Sequence, residues 1–165
     1  MSDTKSVPLL ARDIPRRGDG PIPQPYRALG THESRSLGDL FRLRQYGVNL
    51  ETLHPGSASA LRHSHSSSDE FAYVISGELV LFDDTGETLM TAGMCVGFPA
   101  GDGNAHRLVN QSSADAQFLV VGTRMRGDVV DYPDDDFQWL EDDGKWYAAT
   151  SDGSPRPVVR RGDES

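Results

Sequence analysis

Histidine and glutamate side chains in the middle of the chain have the types and spacing of metal ligands. His63 and His65 are two positions apart, so on one strand their imidazoles point to the same face. Glu70 follows five positions later, and a run of serines between them can break the strand and reset the face that Glu70 occupies. His106 comes 36 residues after Glu70, directly behind a loop whose glycines allow a tight turn. We therefore expect these side chains to meet.

A set of imidazoles and one carboxylate predicts a divalent metal ion with open coordination positions. Such donors suit Zn, Fe, Mn or Ni, and also Cu and Co. A six-coordinate ion with four protein ligands keeps about two positions for water or substrate. We predict one divalent metal ion per chain, held by His63, His65, Glu70 and His106.

Isomerisation or elimination at such a metal would also need a group that moves a proton. Glu70 could do this only by partly leaving the metal, so we take Glu70 and Tyr73 as the catalytic candidates. Tyr46 and Tyr132 are alternatives to Tyr73. The spacing of these residues does not choose among them.

Binding of an anionic substrate would need a local arginine, because the chain has a net charge of −9. Arg42 and Arg44 are the substrate-binding candidates, since they would share one face of a predicted strand. Arg62 ranks below them because it directly precedes His63 and by alternation faces away from the metal. The alternative is that these arginines pair with surface carboxylates.

The elements that must position these residues are expected to be short antiparallel strands. The 17 glycines and 10 prolines favour a turn-rich β protein over a helical bundle. Turn signals recur between short apolar segments, and Ser76-Gly77 has the pattern of a hairpin turn. The fold class is therefore all-β, a sandwich or barrel. The predicted strands are residues 40–44, 47–53, 70–75, 78–82, 94–98, 106–110, 117–121 and 145–150.

Composition divides the chain into three parts. Residues 1–36 are rich in proline and arginine without apolar periodicity, and are expected to form an extended N-terminal arm laid over a neighbour. Residues 37–126 hold the main series of strands. Residues 127–165 are expected to be an acidic segment, one further strand and a polar tail. The acidic run 134–136 lacks the spacing of a calcium loop and is expected to be a solvated face.

The two histidine segments resemble the two sequence motifs of the cupin superfamily. The first motif is seen as Gly56, six residues, His63-Ser64-His65, four residues, Glu70, six residues, Gly77. The second is seen as Gly93, five residues, Pro99-Ala100-Gly101, four residues, His106, three residues, Asn110. One extra residue before His63 and two before His106 fall in loops. The resemblance spans residues 37–126 and implies a double-stranded β-helix, or jelly-roll barrel, with a divalent metal inside.

The chain is also similar to small single-domain bacterial cupins of the sugar-phosphate isomerase-like type. This implies a metalloenzyme, isomerase- or lyase-like, that acts on a small oxygenated metabolite with the metal as Lewis acid. Cupins serve many chemistries, so two alternatives remain. One is an iron-dependent dioxygenase, and the other is a non-catalytic barrel that binds a sugar or an acid.

Charge and composition also limit the partners. The acidic balance disfavours nucleic-acid binding, and no apolar run is long enough to span a membrane or to form a signal peptide. We therefore expect a cytoplasmic protein with a small-molecule ligand. Small cupins generally pair through their sheets, which implies a homodimer. Cys95 is the only cysteine and is expected to be an inert, packed thiol.

Overall fold

Short strands dominate the computed structural model, which describes residues 7–17, 22–23, 29–156 and 158–159. Within this part of the chain the only α-helix is α1, Leu37–Leu40, and a 3-10 turn covers Ala11–Asp13. The prediction of an all-β fold is thereby confirmed. The strands are β1 Ile22–Pro23, β2 His32–Ser36, β3 Tyr46–Leu53, β4 Ser64–His65, β5 Glu70–Ser76, β6 Glu78–Asp83, β7 Gly86–Thr91, β8 Cys95–Phe98, β9 Arg107–Val109, β10 Ala116–Thr123, β11 Val129–Tyr132, β12 Phe137–Asp142, β13 Lys145–Ala149 and β14 Val158–Val159.

Backbone pairing in the described residues divides these strands among four antiparallel sheets. The largest has five strands in the order β2-β3-β10-β5-β8. A three-stranded sheet has the order β7-β6-β9, and a four-stranded sheet has the order β13-β12-β11-β4. β1 pairs with β14. Neighbours in these sheets are mostly distant in sequence, so the fold depends on long-range pairing.

The main core lies between the five-stranded and the three-stranded sheets. Alternation along the strands turns Leu53, Val74 and Phe118 inward from the larger sheet, where they meet Leu79 and Leu108 from the smaller one. Each of these side chains is at most 3% exposed. Full burial of a side chain such as Phe118 stabilises the fold by roughly 2–3 kcal/mol.

Gly77 makes a corner between two sheets, so the predicted hairpin at Ser76-Gly77 is wrong. β5 pairs with β10 on one edge and with β8 on the other, which leaves no edge for β6. Gly77 has φ +78°, and a Cβ there would lie 2.7 Å from the backbone oxygen of Asp115. Glycine is therefore required both by the backbone conformation and by the close approach of the next chain segment.

The predicted strand at residues 40–44 is also wrong. α1 ends at Leu40, and the chain then turns through Arg42, whose φ of 59° is left-handed. Backbone N–H groups of Phe41 and Arg42 bond to the carbonyls of Gly38 and Asp39 at 3.2 and 3.0 Å. These local bonds satisfy the backbone within the turn, so the segment needs no partner strand.

The N-terminal and C-terminal parts contain more sheet structure than the sequence pattern indicated. β2, within the predicted arm, pairs with β3 of the same chain. In the acidic segment, β11 and β12 precede the predicted strand, which appears as β13. Asp134 in the acidic run is exposed, and its Oδ1 lies 2.6 Å from a guanidinium nitrogen of Arg62.

Cys95 is exposed, which corrects the prediction of a packed thiol. Alternation along β8 turns Val96 and Phe98 toward the core and Cys95 toward the opposite face of the sheet. Among the described helices, none is long and apolar enough to cross a membrane.

Candidate metal centre

The predicted ligands come together from three segments of the fold. His63 pairs with His106 through two backbone bonds, from His63 N to the His106 oxygen at 3.1 Å and from His106 N to the His63 oxygen at 2.8 Å. β4 ends at His65, and β5 begins at Glu70. The residues between them are not in a strand, as expected for a break that resets the face of Glu70.

The side chains of His63, Glu70 and His106 form one cluster. Each offers a ligand atom, and these atoms all lie within 4.8 Å of one another. Glu70 Oε1 is 3.4 Å from His106 Nε2. The other carboxylate oxygen, Oε2, is 3.6 Å from His65 Nε2. The structure therefore groups three of the four predicted ligands, and His65 adjoins the group through Glu70.

The donor set fits a divalent metal ion. His63 Nδ1 lies 2.8 Å from the Leu61 carbonyl oxygen, which can only accept a hydrogen bond, so Nδ1 carries the proton. His65 Nδ1 in the same way donates to Asp128 Oδ2 at 2.7 Å. In both residues Nε2 is then the nitrogen that can ligate a metal ion. Imidazoles that ligate metals generally donate their other nitrogen to a carbonyl or carboxylate in this manner.

His106 is held by stacking. Its ring lies parallel to that of Phe98, with 3.3 Å between the ring centroids and 2° between the planes. The side chain is buried, and its Nδ1 has no hydrogen-bond partner within the described residues. This packing limits rotation of the imidazole and keeps Nε2 toward Glu70.

The electrostatics of the site favour neutral His63 and ionised Glu70. Burial lowers the pKa of His63 to about 4, so its imidazole is uncharged at neutral pH. Burial alone would raise the pKa of Glu70, but hydrogen bonds with His106 and His65 outweigh it and lower that pKa. Neutral imidazole and carboxylate are the forms that bind metals.

Asp128 supports the site, although the sequence pattern did not single it out. Its side chain is 2% exposed and accepts bonds from His65 and, at 2.9 Å, from the backbone N–H of Ser67. Burial would raise its pKa, but the hydrogen bonds from His65, Ser67 and Ser68 together outweigh this effect and lower it. Asp128 lies 63 positions after His65, so no local spacing connects the two.

A cavity of about 410 Å³ adjoins the cluster. His63, Glu70 and His106 line it, which gives it the polar groups and the size of a small-molecule site. Its apolar wall comes from the two sheets that enclose the core: Ala72, Phe98, Leu108, Phe118 and Val120. Its remaining polar lining comes from the arm, β2, β3, the loop before β4 and β11: Arg17, His32, Ser34, Glu51, Ser59 and Tyr132.

Of the tyrosines proposed for proton transfer, one lines the cavity and two are exposed elsewhere. Tyr73 is 40% exposed and, by alternation with the inward residues Ala72 and Val74, lies on the opposite face of β5. Tyr46 is also exposed, so the structure places neither of them in the cavity. Tyr132 does line it, with its ring centroid 5.5 Å from that of His63. Burial raises the pKa of Tyr132, which keeps its hydroxyl protonated.

The arginines proposed for substrate binding lie outside the cavity lining. Arg42 and Arg44 are exposed in the turn after α1, because the strand that would have aligned them is absent. Arg62 is held by Asp134 and Asp84, in line with the surface-pairing alternative. The arginine in the lining is Arg17, whose backbone N–H bonds to the Ser34 oxygen at 2.7 Å.

Comparison with known proteins agrees with this geometry. A family model described as a cupin domain matches residues 49–122, which include all four predicted ligands. A crystal structure of a sugar phosphate isomerase from a cupin superfamily, from Silicibacter pomeroyi, is 42% identical in sequence. The match covers 92% of this chain and 97% of that one, with a TM-score of 0.81. The chain belongs to the cupin superfamily.

Two further solved structures are similar to this cupin. A candidate sugar phosphate isomerase from Acidithiobacillus ferrooxidans is 32% identical, with a TM-score of 0.69, over 79% of this cupin and 81% of that chain. A predicted oxalate decarboxylase from Thermotoga maritima is 21% identical, with a TM-score of 0.59, over 72% of this cupin and all of that chain, and shares the fold. A search of curated proteins finds no match.

Proposed function

We propose that this cupin is a metal-dependent isomerase that acts on a small sugar phosphate or a similar hydroxycarbonyl compound. The observation that carries the proposal is the cluster of His63, Glu70 and His106 at the wall of a cavity of small-molecule size. The names of the Silicibacter and Acidithiobacillus proteins support the choice of sugar phosphates.

The residues that would hold the metal are His63, His65, Glu70 and His106. When bound, a divalent ion supplies Lewis acidity to a carbonyl or hydroxyl oxygen of the substrate. The chain itself orients the imidazoles, through the Leu61 carbonyl and Asp128. The apolar wall of the cavity excludes water from the reacting carbons.

Arg17 supports the choice of an anionic substrate. It lines the cavity, and it is also part of the lining of an adjoining cavity of about 700 Å³. A guanidinium at this position offers a planar pair of donors to a phosphate group and opposes the net negative charge of the chain. We therefore assign Arg17, in place of Arg42 and Arg44, to the charged end of the substrate.

The test is turnover of a panel of aldose and ketose phosphates in D₂O, followed by proton NMR. Protein loaded in turn with Zn²⁺, Mn²⁺, Ni²⁺ or anaerobic Fe²⁺ is expected to interconvert at least one pair and to exchange a carbon-bound proton with solvent. His106→Ala should abolish turnover. Tyr73→Phe, on the opposite face of the sheet, is the matched control and should retain it.

Other outcomes would overturn the proposal. Binding of a sugar phosphate without turnover by any metal form would identify a non-catalytic binding protein. Oxygen consumption by the iron form would identify a dioxygenase, since two open positions can hold both substrate and O₂.

A further inference from the structure

A second carboxyl group, Glu51, faces the cavity from the middle of β3. On one side its backbone is paired with Ser34 of β2, and on the other with Phe118 of β10. Like Phe118 and Leu53, it lies on the inward face of the five-stranded sheet, and it lines the cavity together with Glu70. Glu51 thus lines the same cavity as the candidate metal ligands but is not one of them.

Glu51 is a half-buried carboxyl group on the inward face of its strand. Its side chain accepts a hydrogen bond from Ser34 Oγ at 2.7 Å, and its inward neighbours Leu53 and Phe118 are apolar. An apolar side chain at this position would avoid the cost of removing part of the carboxyl group from water. An ionisable side chain among the inward-facing positions of a strand is typical of a functional site.

Glu51 is also the carboxyl group of this cavity that can exchange a proton near neutral pH. Burial raises its pKa to about 7, the bond from Ser34 and the charge of Arg17 oppose this rise, and Glu70 adds to it. Glu70 is kept ionised by His65 and His106, and Tyr132 is kept protonated by burial. Two carboxyl groups in one site with opposite shifts generally have different roles.

We propose that Glu51 is the group that moves the substrate proton in this cavity, an assignment that rests on the proposed isomerase function. The carboxylate of Glu51 takes the proton from the carbon next to the carbonyl. The C–H electron pair forms a C=C bond, the C=O π pair moves onto the carbonyl oxygen, and that oxygen takes the proton of the neighbouring hydroxyl. The product is an enediolate, whose negative charge on the second oxygen forms the new C=O bond when the carbon is protonated. Glu51 then returns the proton to the former carbonyl carbon. No oxidant or reductant is needed.

The first experiment compares Glu51→Gln with the parent in the same NMR assay. The turnover number should fall at least about 100-fold, because general acid–base catalysis contributes on that order. Metal content and the Kd for the substrate should stay within threefold of the parent. The matched control is Glu33→Gln, on β2, whose carboxylate forms an ion pair with Arg16 at 2.7 Å. Unchanged turnover in Glu51→Gln, or turnover lost together with the metal, would overturn the assignment.

The pH dependence separates proton transfer from a merely structural effect. The other titratable groups that line the cavity are Arg17, His32, His63, Glu70, His106 and Tyr132, and Ser34 donates a hydrogen bond to Glu51. The Ser34 hydroxyl lowers the pKa of Glu51, so Ser34→Ala should move the acidic limb of the rate profile to higher pH. In Glu51→Gln any residual rate should lack this limb. A limb that stays in place in both variants would contradict the proposal.

The protonation of Glu51 can be measured without substrate, so that this assignment is tested separately from the isomerase activity. Infrared difference spectra of the metal-free parent minus Glu51→Gln are followed from pH 5 to pH 9. A protonated carboxyl band that is lost near neutral pH supports Glu51 even if every sugar phosphate proves inert, in which case only the isomerase proposal fails. A carboxylate already ionised at pH 5 overturns the assignment of Glu51 whatever the substrate.

Discussion

The orientation of His65 depends on a carboxylate far away in the sequence. Asp128 accepts the Nδ1 proton of His65 at 2.7 Å, and it is in turn held by the backbone N–H of Ser67. A ligand whose ring is held in this way loses little rotational freedom when it binds a metal. Partners of this kind contribute to metal affinity without contact to the ion.

Asp128→Asn is therefore expected to weaken metal binding by about 10- to 100-fold. The amide keeps the shape of the side chain but removes the charge that fixes the tautomer of His65. Competition with a chromophoric chelator measures the affinity. Asp131→Asn, an exposed position in the neighbouring strand β11, is the control and should bind as the parent does. Equal affinity of Asp128→Asn and the parent would contradict this role.

Glu51 should make the stability of the metal-free protein depend on pH. Its pKa is raised from 4.5 to about 7 on folding, so its contribution is fully present below pH 4.5 and is lost as pH rises through 7. At about 1.4 kcal/mol per pKa unit, the free energy of unfolding of the parent should fall by roughly 3 kcal/mol relative to Glu51→Gln between pH 4.5 and 8. Urea unfolding of both proteins measures this difference. A constant difference would show that folding does not raise the pKa of Glu51.

The candidate ligands were visible in the sequence, and the residues that support them were not. His63, His65, Glu70 and His106 lie in two local motifs whose spacing is visible in the chain. Asp128 and Arg17 reach the site only through strand pairing and the path of the arm, which no local pattern encodes. Glu51 could have been noticed in the sequence, because it places a carboxyl group at an inward-facing position of the predicted strand 47–53.

The corner at Gly77 is a point where one residue controls the arrangement of two sheets. Gly77→Ala is expected to destabilise the protein by about 2 kcal/mol or more, because a methyl group would clash with the backbone at Asp115 and Ala116 in addition to the strain at φ +78°. Gly144→Ala is the matched control, since Gly144 has φ +79° with no atom within 4 Å of an added Cβ. Urea unfolding measures both. Equal losses would show that the clash is relieved by a local shift.

Strand positions were largely predictable, whereas strand pairing was not. β3, β5, β6 and β13 follow from short apolar segments bounded by turn residues. Ser76-Gly77 has the local chemistry of a hairpin, but β8 and β10 occupy both edges of β5. Pairing is decided by this competition between distant segments, so local turn signals alone could not exclude the hairpin.

The outer face of the five-stranded sheet carries large apolar side chains. Phe71, Tyr73 and Ile75 of β5 are each 40–42% exposed. Exposed apolar groups that adjoin on one face are typical of association sites. We propose that the chain forms a homodimer through this face.

Light scattering at micromolar concentration should therefore give at least the mass of a dimer. Phe71→Glu should shift the protein toward monomer, because a charge would be buried without a partner at the interface. Leu89→Glu changes an exposed apolar residue of another sheet and should leave the mass unchanged. A monomeric parent would exclude the dimer.

Metal binding is the property on which the proposed chemistry depends, and elemental analysis tests it most directly. After reconstitution with divalent ions and removal of excess metal, we expect about one ion per chain in the parent. The same content is expected in His54→Ala, whose imidazole bonds to Asp115 outside the cluster. His63→Ala and His106→Ala should retain little or none. The identity of the ion narrows the reaction, since iron favours oxygen chemistry and redox-inert zinc excludes it. A parent without stoichiometric metal, or a His63→Ala variant that binds as tightly as the parent, would contradict the account.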